Sequence, residues 1–531
     1  MRKMHTSMRT LWFSAALLAL AGCADLTVPN INEPDRDRSL GNPADVESLV
    51  AGTFLLWWQV NHGLGTAAET RPSAAIGALA AMGNEVSASG AHYGIQDIGR
   101  RPVAALINDP GSSWHPYVEG TWQEYYKILS ASREALIALK DPAFKLGANG
   151  ADNKRLETFA KFMQGMATAS LGYIYKEAYI LNEGVSETDF ESLELSSYKA
   201  VMAQGIKDLD AAIVLARANT FTLPATWMTV AWTNQDLARI ASSFKARYMA
   251  GVARTPAERA AVDWAGVLVA ANAGVSRDFG VESDGPGGKW KAHILLAFGA
   301  TYTSGGSRKM HNDIIGPADT TGTWQKWYAA SYLTRNSITI ATPDRRIHGP
   351  GGPATIGTKV QRWSTSGMAE SRGLYYFSLY ADIKWRDYRT TQYGFLADLP
   401  VKELDYLKAE AHIRLGQSAA AVDLINKSRA LGQLPPVTAA GATGPGCVPR
   451  TTTGACGSLL DALRYEKGLE LWLNGMGVRY TDMRGWGALD QFVPLHLPVP
   501  KTELTLAGEA FYTTGGPGGV DAAPAPVPSS P

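Results

Sequence analysis

Two glutamates stand four residues apart near the C-terminus, at Glu466 and Glu470. Paired carboxylates act as acid and base in glycoside hydrolysis, where they flank the bond that is cleaved. Residues four apart on a helix share one face, so this spacing serves that chemistry poorly. Four basic residues lie close by and can neutralise the pair: Arg464, Lys467, Arg479 and Arg484. We therefore interpret the glutamates as part of a structural ion-pair cluster, with a glycosidase site as the alternative.

Motifs for nucleophilic, metal or phosphate chemistry are missing from the sequence. No G-x-S-x-G, H-E-x-x-H or G-x-x-x-x-G-K pattern is present. The histidines are scattered along the chain and lack the spacing of zinc ligands. The sequence therefore predicts no catalytic residue, no metal site and no cofactor.

Aromatic residues are frequent between residues 276 and 399, where helical periodicity is lost. A flat ring with a polar edge suits the apolar C–H face and the hydroxyl rim of a sugar, and loops often carry binding residues. The alternative is that these rings form the core of a loop-rich subdomain. The candidate ligand-binding residues, including a histidine and a tyrosine from an earlier polar loop, are His92, Tyr93, Trp290, Tyr302, Trp324, Trp327, Tyr328 and Trp363.

The N-terminus has the pattern of an exported protein. Basic residues precede a short apolar run that ends at Cys23, as in a secretory signal peptide, and the run is too short to span a bilayer. A cysteine at the cleavage point resembles the bacterial lipoprotein signal, in which that cysteine becomes the lipidated first residue. We expect residues 1–22 to be removed and residues 23–41 to tether the lipid to the body. An ordinary secreted protein with a chance cysteine is the alternative.

Two further cysteines, Cys447 and Cys456, lie in a loop that is rich in glycine, threonine and proline. An oxidising compartment favours a disulfide between them. A metal site is the alternative, but no histidine or further cysteine stands nearby with zinc spacing. We therefore expect a disulfide.

The charge balance gives no support for nucleic acid or anionic lipid as the main partner. The chain has 50 basic and 49 acidic residues, and loss of residues 1–22 with their three basic side chains leaves a net charge of −2. This balance gives no argument for nucleic acid as a partner. No second long apolar segment follows the first, so we expect the body to be attached to the membrane through its lipid alone.

Apolar residues at helical spacing predict a mainly α-helical chain. Asn42 and Pro43 open the first helix, and its expected buried stripe is Val46, Leu49, Val50, Phe54 and Trp57. A capping box at Thr255 opens another helix, which we expect to end near Gly274. A helix pair covers residues 401–432, and a last helix starts at Ser458.

Paired helices predict a tetratricopeptide-like scaffold, in which each pair buries its apolar face against the next. A plain irregular bundle is the alternative. We divide the chain into a single α domain at 42–512, with an irregular, ligand-facing insertion at 276–399, and a disordered tail at 513–531.

Four segments carry motifs in the order found in a known family. Residues 409–429 contain A-E, R-L-G, A, I-N and R in turn, and residues 464–471 read R-Y-E-K-G-L-E-L. Residues 477–486 read G-V-R-Y-T-D-M-R-G-W, and residues 497–504 read L-P-V-P-K-T-E-L. This ordered set resembles the SusD/RagB family of outer-membrane nutrient-uptake lipoproteins. Lys467 replaces the arginine of the family pattern, and a glycine separates the final arginine from tryptophan.

The resemblance implies a SusD-like fold, which is a mainly α, tetratricopeptide-like scaffold with a large irregular segment. It implies a structural role for the motif residues Arg464, Glu466, Glu470, Arg479, Asp482, Arg484 and Trp486. Family members capture glycans or peptides without cleaving them and pass them to a SusC-like TonB-dependent transporter. Their ligand residues lie in variable loops, so our candidates rest on aromatic content alone.

We therefore expect a non-catalytic, lipid-anchored outer-membrane protein that binds a glycan and delivers it to a TonB-dependent transporter. An oligopeptide is the other ligand class that the resemblance allows. The alternatives are a helical glycoside hydrolase and a helical-repeat scaffold that binds peptides or proteins.

Overall fold

The structure is a computed structural model, and it describes residues 40–63, 75–88, 98–99, 101, 103, 105–292, 308–332, 334–363 and 378–515. Most regular structure in these residues is helical, so the prediction of a mainly α-helical fold is confirmed. The helices, in chain order, are α1 (Pro43–Ala51), α2 (Thr53–His62), α3 (Ala75–Met82), α4 (His115–Ala138), α5 (Asn153–Ile174), α6 (Tyr198–Ala218), α7 (Ala225–Met228), α8 (Asn234–Gly251), α9 (Pro256–Ala260), α10 (Trp264–Asn272), α11 (Asn312–Ile315), α12 (Thr323–Ala329), α13 (Ile383–Thr391), α14 (Val401–Arg414), α15 (Ser418–Leu431), α16 (Leu459–Glu470), α17 (Val478–Gly485) and α18 (Lys501–Ala507).

The strands are short and pair in twos. They are β1 (Val86–Ala88), β2 (Glu177–Ala178), β3 (Ser196–Ser197), β4 (Thr222–Leu223), β5 (Trp232–Thr233), β6 (Phe279–Asp284), β7 (Arg308–Met310), β8 (Val360–Arg362), β9 (Tyr380–Asp382) and β10 (Tyr393–Leu399). The antiparallel pairs are β1–β7, β2–β3, β4–β5, β6–β10 and β8–β9.

The long helices pack as successive neighbours. In this series α4 contacts α5, α5 contacts α6, α6 contacts α8, α8 contacts α10, and α10 contacts α14, which also packs on α15 and α16. Helices α5 and α6 approach closely because glycines face the contact. A Cβ atom on Gly205 would lie 2.5 Å from the backbone nitrogen of Ala169, and one on Gly165 would lie 2.8 Å from that of Leu209. The packing agrees with the expected scaffold of paired helices.

Local capping signals placed several helix starts correctly. The Asn42 side chain accepts a hydrogen bond from the Ala44 amide at 3.1 Å at the start of α1. Thr255 caps α9, and Ser458 forms a capping box with Asp461 at the start of α16. The expectation that the helix at Ser458 is the last was wrong, because α17 and α18 follow it.

Two predicted helices are each interrupted. The first is divided into α1 and α2 at Gly52, and Leu49, which we expected in the core, is 46% exposed. The helix expected from Thr255 to near Gly274 ends first at Ala260 and restarts as α10. The restart has a local cause, since the Asp263 side chain accepts a hydrogen bond from the Gly266 amide at 2.8 Å.

Buried arginines join distant parts of the chain. Arg247, Arg259 and Arg346 are each at most 5% exposed. Their carboxylate partners are Asp398 and Glu403 for the first, Glu410 and Asp482 for the second, and Asp344, Glu466 and Glu470 for the third. Such pairs contribute to stability only when all partners remain in place, because a lone buried charge is costly.

The segment at 276–399 contains short elements, from β6 to β10 and from α11 to α13. Several of its tryptophans are buried, among them Trp324, Trp327 and Trp385. Their rings contribute to the packing of this segment, which agrees with the alternative that the aromatic residues form the core of a loop-rich subdomain.

Candidate functional site

The sequence candidates separate into several places. His92, Tyr93 and Tyr302 lie outside the described residues. Trp290 packs near Phe54, with ring centroids 6.0 Å apart. The ring of Trp363 lies 5.2 Å from the Lys309 ammonium. The three remaining candidates occupy α12 and are the group that the structure brings together.

Helix α12 is held in place by a buried carboxylate. Asp319 is fully buried, and its Oδ2 accepts a hydrogen bond from the Trp324 amide at 3.1 Å. Its Oδ1 accepts one from the Thr321 hydroxyl at 2.8 Å. Gly322, with φ 83°, turns the chain into the helix in a conformation that favours glycine. These contacts fix the start of α12 and the backbone of Trp324.

Gly316 sets the position of the Trp324 ring. A Cβ atom on Gly316 would lie 2.1 Å from Cδ1 and 2.2 Å from Nε1 of that indole. The ring therefore rests directly on the glycine backbone, and no larger residue fits there without moving it.

The second wall comes from the loop that contains the two cysteines. Cys447 and Cys456 form a disulfide, with their sulfurs 2.00 Å apart. The loop docks on the segment before α12, where the Arg450 amide donates to the Pro317 carbonyl at 2.7 Å. From α12 itself, Gln325 donates to the Thr451 carbonyl at 3.1 Å.

Together these parts enclose a cavity of about 300 Å³, which we call the aromatic cleft. Trp324 and Tyr328 form its aromatic side, and residues 449–452 form the facing side. Its remaining lining comes from α11, α16 and α17 and includes Asp313, Asp461, Arg464, Tyr465, Gly468 and Arg479. The volume is at the lower end of the range for small-ligand sites and suits one or two sugar rings.

Several buried polar atoms of cleft-lining residues have no hydrogen-bond partner among the described residues. They are Nε1 of Trp324, Oδ1 of Asp313, Nε of Arg450 and Nε of Arg464. In Asp313 only one carboxylate oxygen is paired, because Oδ2 accepts a hydrogen bond from the Asn84 side chain at 2.9 Å while Oδ1 has no partner among the described residues. Buried polar atoms are normally paired, and leaving one unpaired costs about 1–3 kcal/mol. Three donors and one acceptor of cleft-lining residues are therefore unpaired within the part of the chain that the structure describes.

Tyr328 is the exposed aromatic residue of the cleft, at 38% of its surface. Burial of its hydroxyl and the negative charges of Asp313 and Asp490 raise the pKa of Tyr328 to about 12. The hydroxyl therefore stays protonated at neutral pH and can donate. The ring centroid lies 5.8 Å from that of Trp324 and 5.3 Å from the Arg335 guanidinium carbon, which orient it.

Trp327, the third candidate on α12, is not among the residues that line the aromatic cleft. Its ring lies 4.6 Å from the Arg335 guanidinium carbon and 6.0 Å from the His311 ring. These contacts hold the ring against neighbouring side chains, and the predicted ligand contact of Trp327 does not fall in this cleft. Sequence alone could not separate it from Trp324, because both are tryptophans on one short helix.

The glutamate pair lies in an ion-pair cluster. Its main cation is Arg346, which the sequence analysis did not identify. Arg346 Nη1 lies 2.6 Å from Glu466 and 3.1 Å from Glu470. Lys402 contacts Glu470 at 2.6 Å. The four basic residues named from the sequence have other partners: Arg464 contacts Asp461, Lys467 contacts Asp482, Arg479 donates to the carbonyls of Gly83 and Asn84, and Arg484 donates to carbonyls of Tyr173, Gly251 and Leu495.

Motif residues differ in their surroundings. Asp482 contacts Arg259 and Lys467, and the Trp486 indole donates to Glu410 at 2.9 Å. Arg464 and Arg479, which we expected to be only structural, also line the aromatic cleft. Sequence reasoning also missed Asp313 and Arg450, because residues from such separate segments carry no common spacing.

The described residues hold no group of three or more His, Cys, Asp or Glu side chains arranged to bind a metal ion. None of the helices in the described parts of the chain combines the length and apolar character that crossing a bilayer requires.

Solved structures with the same fold come from the SusD superfamily. One, from Bacteroides vulgatus ATCC 8482, aligns with a TM-score of 0.55 and 14% identity over 88% of this chain and 97% of its own. A second, from Bacteroides thetaiotaomicron VPI-5482, aligns with a TM-score of 0.55 and 12% identity over 87% of this chain and 96% of its own. A third, from Parabacteroides distasonis ATCC 8503, aligns with a TM-score of 0.54 and 11% identity over 87% of this chain and 97% of its own.

The chain therefore has the fold of the SusD superfamily, and the fold that the sequence motifs implied is confirmed. Identities of 11–14% establish the shared architecture rather than a shared ligand. Comparison with protein-family models and with curated protein sequences finds no match.

Proposed function

We propose that this protein is a non-catalytic capture protein for oligosaccharides, with the aromatic cleft as a ligand site. One observation carries the proposal. The cleft combines the rings of Trp324 and Tyr328 with buried donors and an acceptor that have no partner among the described residues. An apolar ring face and a rim of hydroxyls are the matching features of a sugar.

The lining of the aromatic cleft carries charged groups of both signs. Two carboxylates, on Asp313 and Asp461, face three guanidinium groups, on Arg450, Arg464 and Arg479. Since Arg464 lies 3.5 Å from Asp461, part of this charge is already compensated. The hydroxyl groups of a neutral glycan can donate to the carboxylates and accept from the guanidinium groups, so such a ligand can pair with both.

We further propose that the protein is held at the outer membrane by lipid on Cys23 and hands its ligand to a TonB-dependent transporter. The signal pattern before Cys23 supports the anchor. The SusD superfamily fold and the ordered motifs support the transporter partnership.

The binding site is tested by screening a glycan array and then titrating the best ligand by calorimetry into wild type and Tyr328→Ala. We expect affinity to fall by about tenfold, because a stacking face is lost. Phe190→Ala is the matched control, since Phe190 is 42% exposed and lies 4.8 Å from the Arg133 guanidinium carbon. Equal loss of affinity in both variants would contradict the assignment of the cleft.

The glycosidase alternative is tested with the same ligand. The purified protein is incubated with it, and products are separated by chromatography. Recovery of the intact oligosaccharide is expected, and release of shorter products would overturn the non-catalytic proposal even if the cleft is the binding site.

The anchor and the partner need experiments in cells. Cys23→Ala should release the protein from salt-washed membranes, because lipid is the proposed attachment. A tagged wild-type protein should copurify with a TonB-dependent transporter from detergent-solubilised outer membrane. Membrane retention of the Cys23→Ala protein, or purification without a transporter, would contradict the corresponding part of the proposal.

A further inference from the structure

A second cavity, of about 470 Å³, lies between α13, β10 and the end of α16. We call it the lysine pocket. The lining residues that matter here are Lys359, Lys384, Lys402, Trp385, Tyr393 and Phe395. It shares no lining residue with the aromatic cleft.

Three lysines and three carboxylates, Asp278, Asp387 and Glu470, line this pocket, so its charges are mixed. Lys402 lies 2.6 Å from Glu470, and Lys359 lies 3.1 Å from Asp382 and 3.9 Å from Glu470. Lys359 and Lys402 are thus paired with carboxylates, whereas Lys384 makes no ion pair within the described parts of the chain.

Two of the lining carboxylates make contacts with groups other than the lysines. Asp278 accepts a hydrogen bond from the Val401 amide at 2.8 Å. Asp387 accepts one from Arg386 at 2.7 Å. Neither of these contacts supplies a charge partner for Lys384.

Lys384 is bound to a neutral group. Its ammonium donates to Oδ1 of Asn474 at 2.5 Å and lies 4.7 Å from the Trp385 ring centroid. Burial and the positive charges of Lys359 and Lys402, opposed by Asp382 and Glu470, lower the pKa of Lys384 to about 7. An added anion would offset the positive charges of Lys359 and Lys402 and so favour the charged lysine.

The wall beside the lysines is aromatic and exposed. Tyr393 and Phe395 stand two residues apart on β10, which places them on one face of the strand. They are 62% and 41% exposed. The Tyr393 ring packs over Gly285, where a Cβ atom would lie 2.4 Å from Cζ, so the ring has a fixed support.

We propose that the lysine pocket is a second ligand site, which binds a sugar that carries a carboxylate. The carboxylate contacts the lysines, and the apolar face of the sugar ring stacks on Tyr393 or Phe395. Aromatic rings beside ammonium groups match a ring and an anion held in one ligand, whereas a simple anion would use only the lysines. This inference does not depend on the aromatic cleft.

The test is calorimetric titration of methyl glucuronide and methyl galacturonide into the full chain, with methyl glucoside as the neutral match. We expect at least one uronide to bind and the glucoside to bind at least tenfold more weakly. Lys402→Met and Tyr393→Ala should each weaken uronide binding by about tenfold. Lys154→Met is the matched control, because Lys154 is also exposed and paired with a carboxylate, Glu157, at 2.7 Å.

Other ligands separate the remaining possibilities. Acetate that binds as tightly as the uronides would overturn the sugar assignment, and so would a triglutamate peptide that binds more tightly. Absence of binding by both uronides at millimolar concentration would overturn the site. Tyr328→Ala should leave uronide binding unchanged, so failure of this pocket and failure of the aromatic cleft are distinguishable.

Proton uptake provides an independent readout. At about pH 8 much of Lys384 is neutral before binding, so uronide binding should take up protons. The observed enthalpy should then differ between phosphate and Tris buffers, and Lys384→Met should lose that difference. Thermal denaturation checks that this variant is folded, and an unchanged buffer dependence in the folded variant would contradict the role of Lys384.

Discussion

Replacement of Arg346 by methionine tests the buried cluster that contains both motif glutamates. The arginine makes hydrogen bonds to Asp344 at 2.6 and 3.0 Å, to Glu466 at 2.6 and 3.2 Å, and to Glu470 at 3.1 Å. Its side chain is 2% exposed. Methionine preserves much of the apolar stem and removes the charge, so the change is chiefly electrostatic.

The size of the effect follows from what each carboxylate keeps. Glu470 retains Lys402 at 2.6 Å. Glu466 retains the Ser428 hydroxyl at 2.6 Å and Arg429 at 3.5 Å. Asp344 retains the Tyr465 hydroxyl at 2.6 Å. Two fully buried carboxylates thus lose their main cation, and we expect the free energy of unfolding to fall by about 3–5 kcal/mol.

The loss should depend on pH with a definite sign. Burial already holds the pKa of Glu466 above its usual value, and Arg346 opposes that shift. Without the arginine the pKa in the folded protein rises further above that in the unfolded chain. A carboxyl group with a raised pKa lowers the free energy of unfolding when it is ionised. That free energy is recovered as pH falls towards the pKa of the group in the unfolded chain. The deficit of Arg346→Met should therefore be smaller at about pH 5 than at about pH 8.

Urea unfolding followed by circular dichroism measures these free energies. Arg345→Met is the matched control, because the adjacent Arg345 is partly exposed and donates to the Gly349 carbonyl at 3.0 Å. Adding Glu466→Gln to Arg346→Met should recover roughly 1–3 kcal/mol, since one uncompensated charge is removed. A loss no larger than that of Arg345→Met, or a deficit that grows as pH falls, would refute the reasoning.

Two further predictions concern the aromatic cleft and a buried carboxyl. Gly316→Ala would force the Trp324 ring to move by about 1 Å, and affinity for the cleft ligand should fall by about tenfold in calorimetry. Gly52→Ala, whose Cβ would lie 3.6 Å from the carbonyl oxygen of Leu49, should bind normally. Burial raises the pKa of Glu85 to about 7, although Oε1 accepts a hydrogen bond from the Leu473 amide. Stability should therefore fall as pH rises through 7, and Glu85→Gln should gain about 1–3 kcal/mol on wild type between about pH 6 and pH 9 in urea unfolding. Parallel pH profiles would contradict this.

Predictions from local signals were the accurate ones. Asn42, Thr255 and Ser458 mark helix starts because capping needs only residues within one turn. The interruption at Gly52 and the exposure of Leu49 were missed, since helical spacing persists across the break. Whether such a pattern is one helix or two depends on the packing partners of each part.

Two of the sequence candidates lie at the proposed site, and their ligand contacts stay a prediction. Trp324 and Tyr328 line the aromatic cleft, whereas Trp290 packs near Phe54 and Trp327 packs against Arg335. An aromatic residue in a core and one in a binding site have the same composition signal. Only the surrounding cavity distinguishes them.

By itself, the sequence determined the helical class, the capped helix starts and the ordered motifs that imply the fold, because these depend on residue type and short spacing. Tertiary structure alone decided which side chains meet. Arg346 pairs with Glu466 across 120 residues, and the aromatic cleft joins Asp313 and Tyr328 to Arg450 and Arg464. Contacts between distant segments depend on the path of the whole chain, and no local pattern records that path.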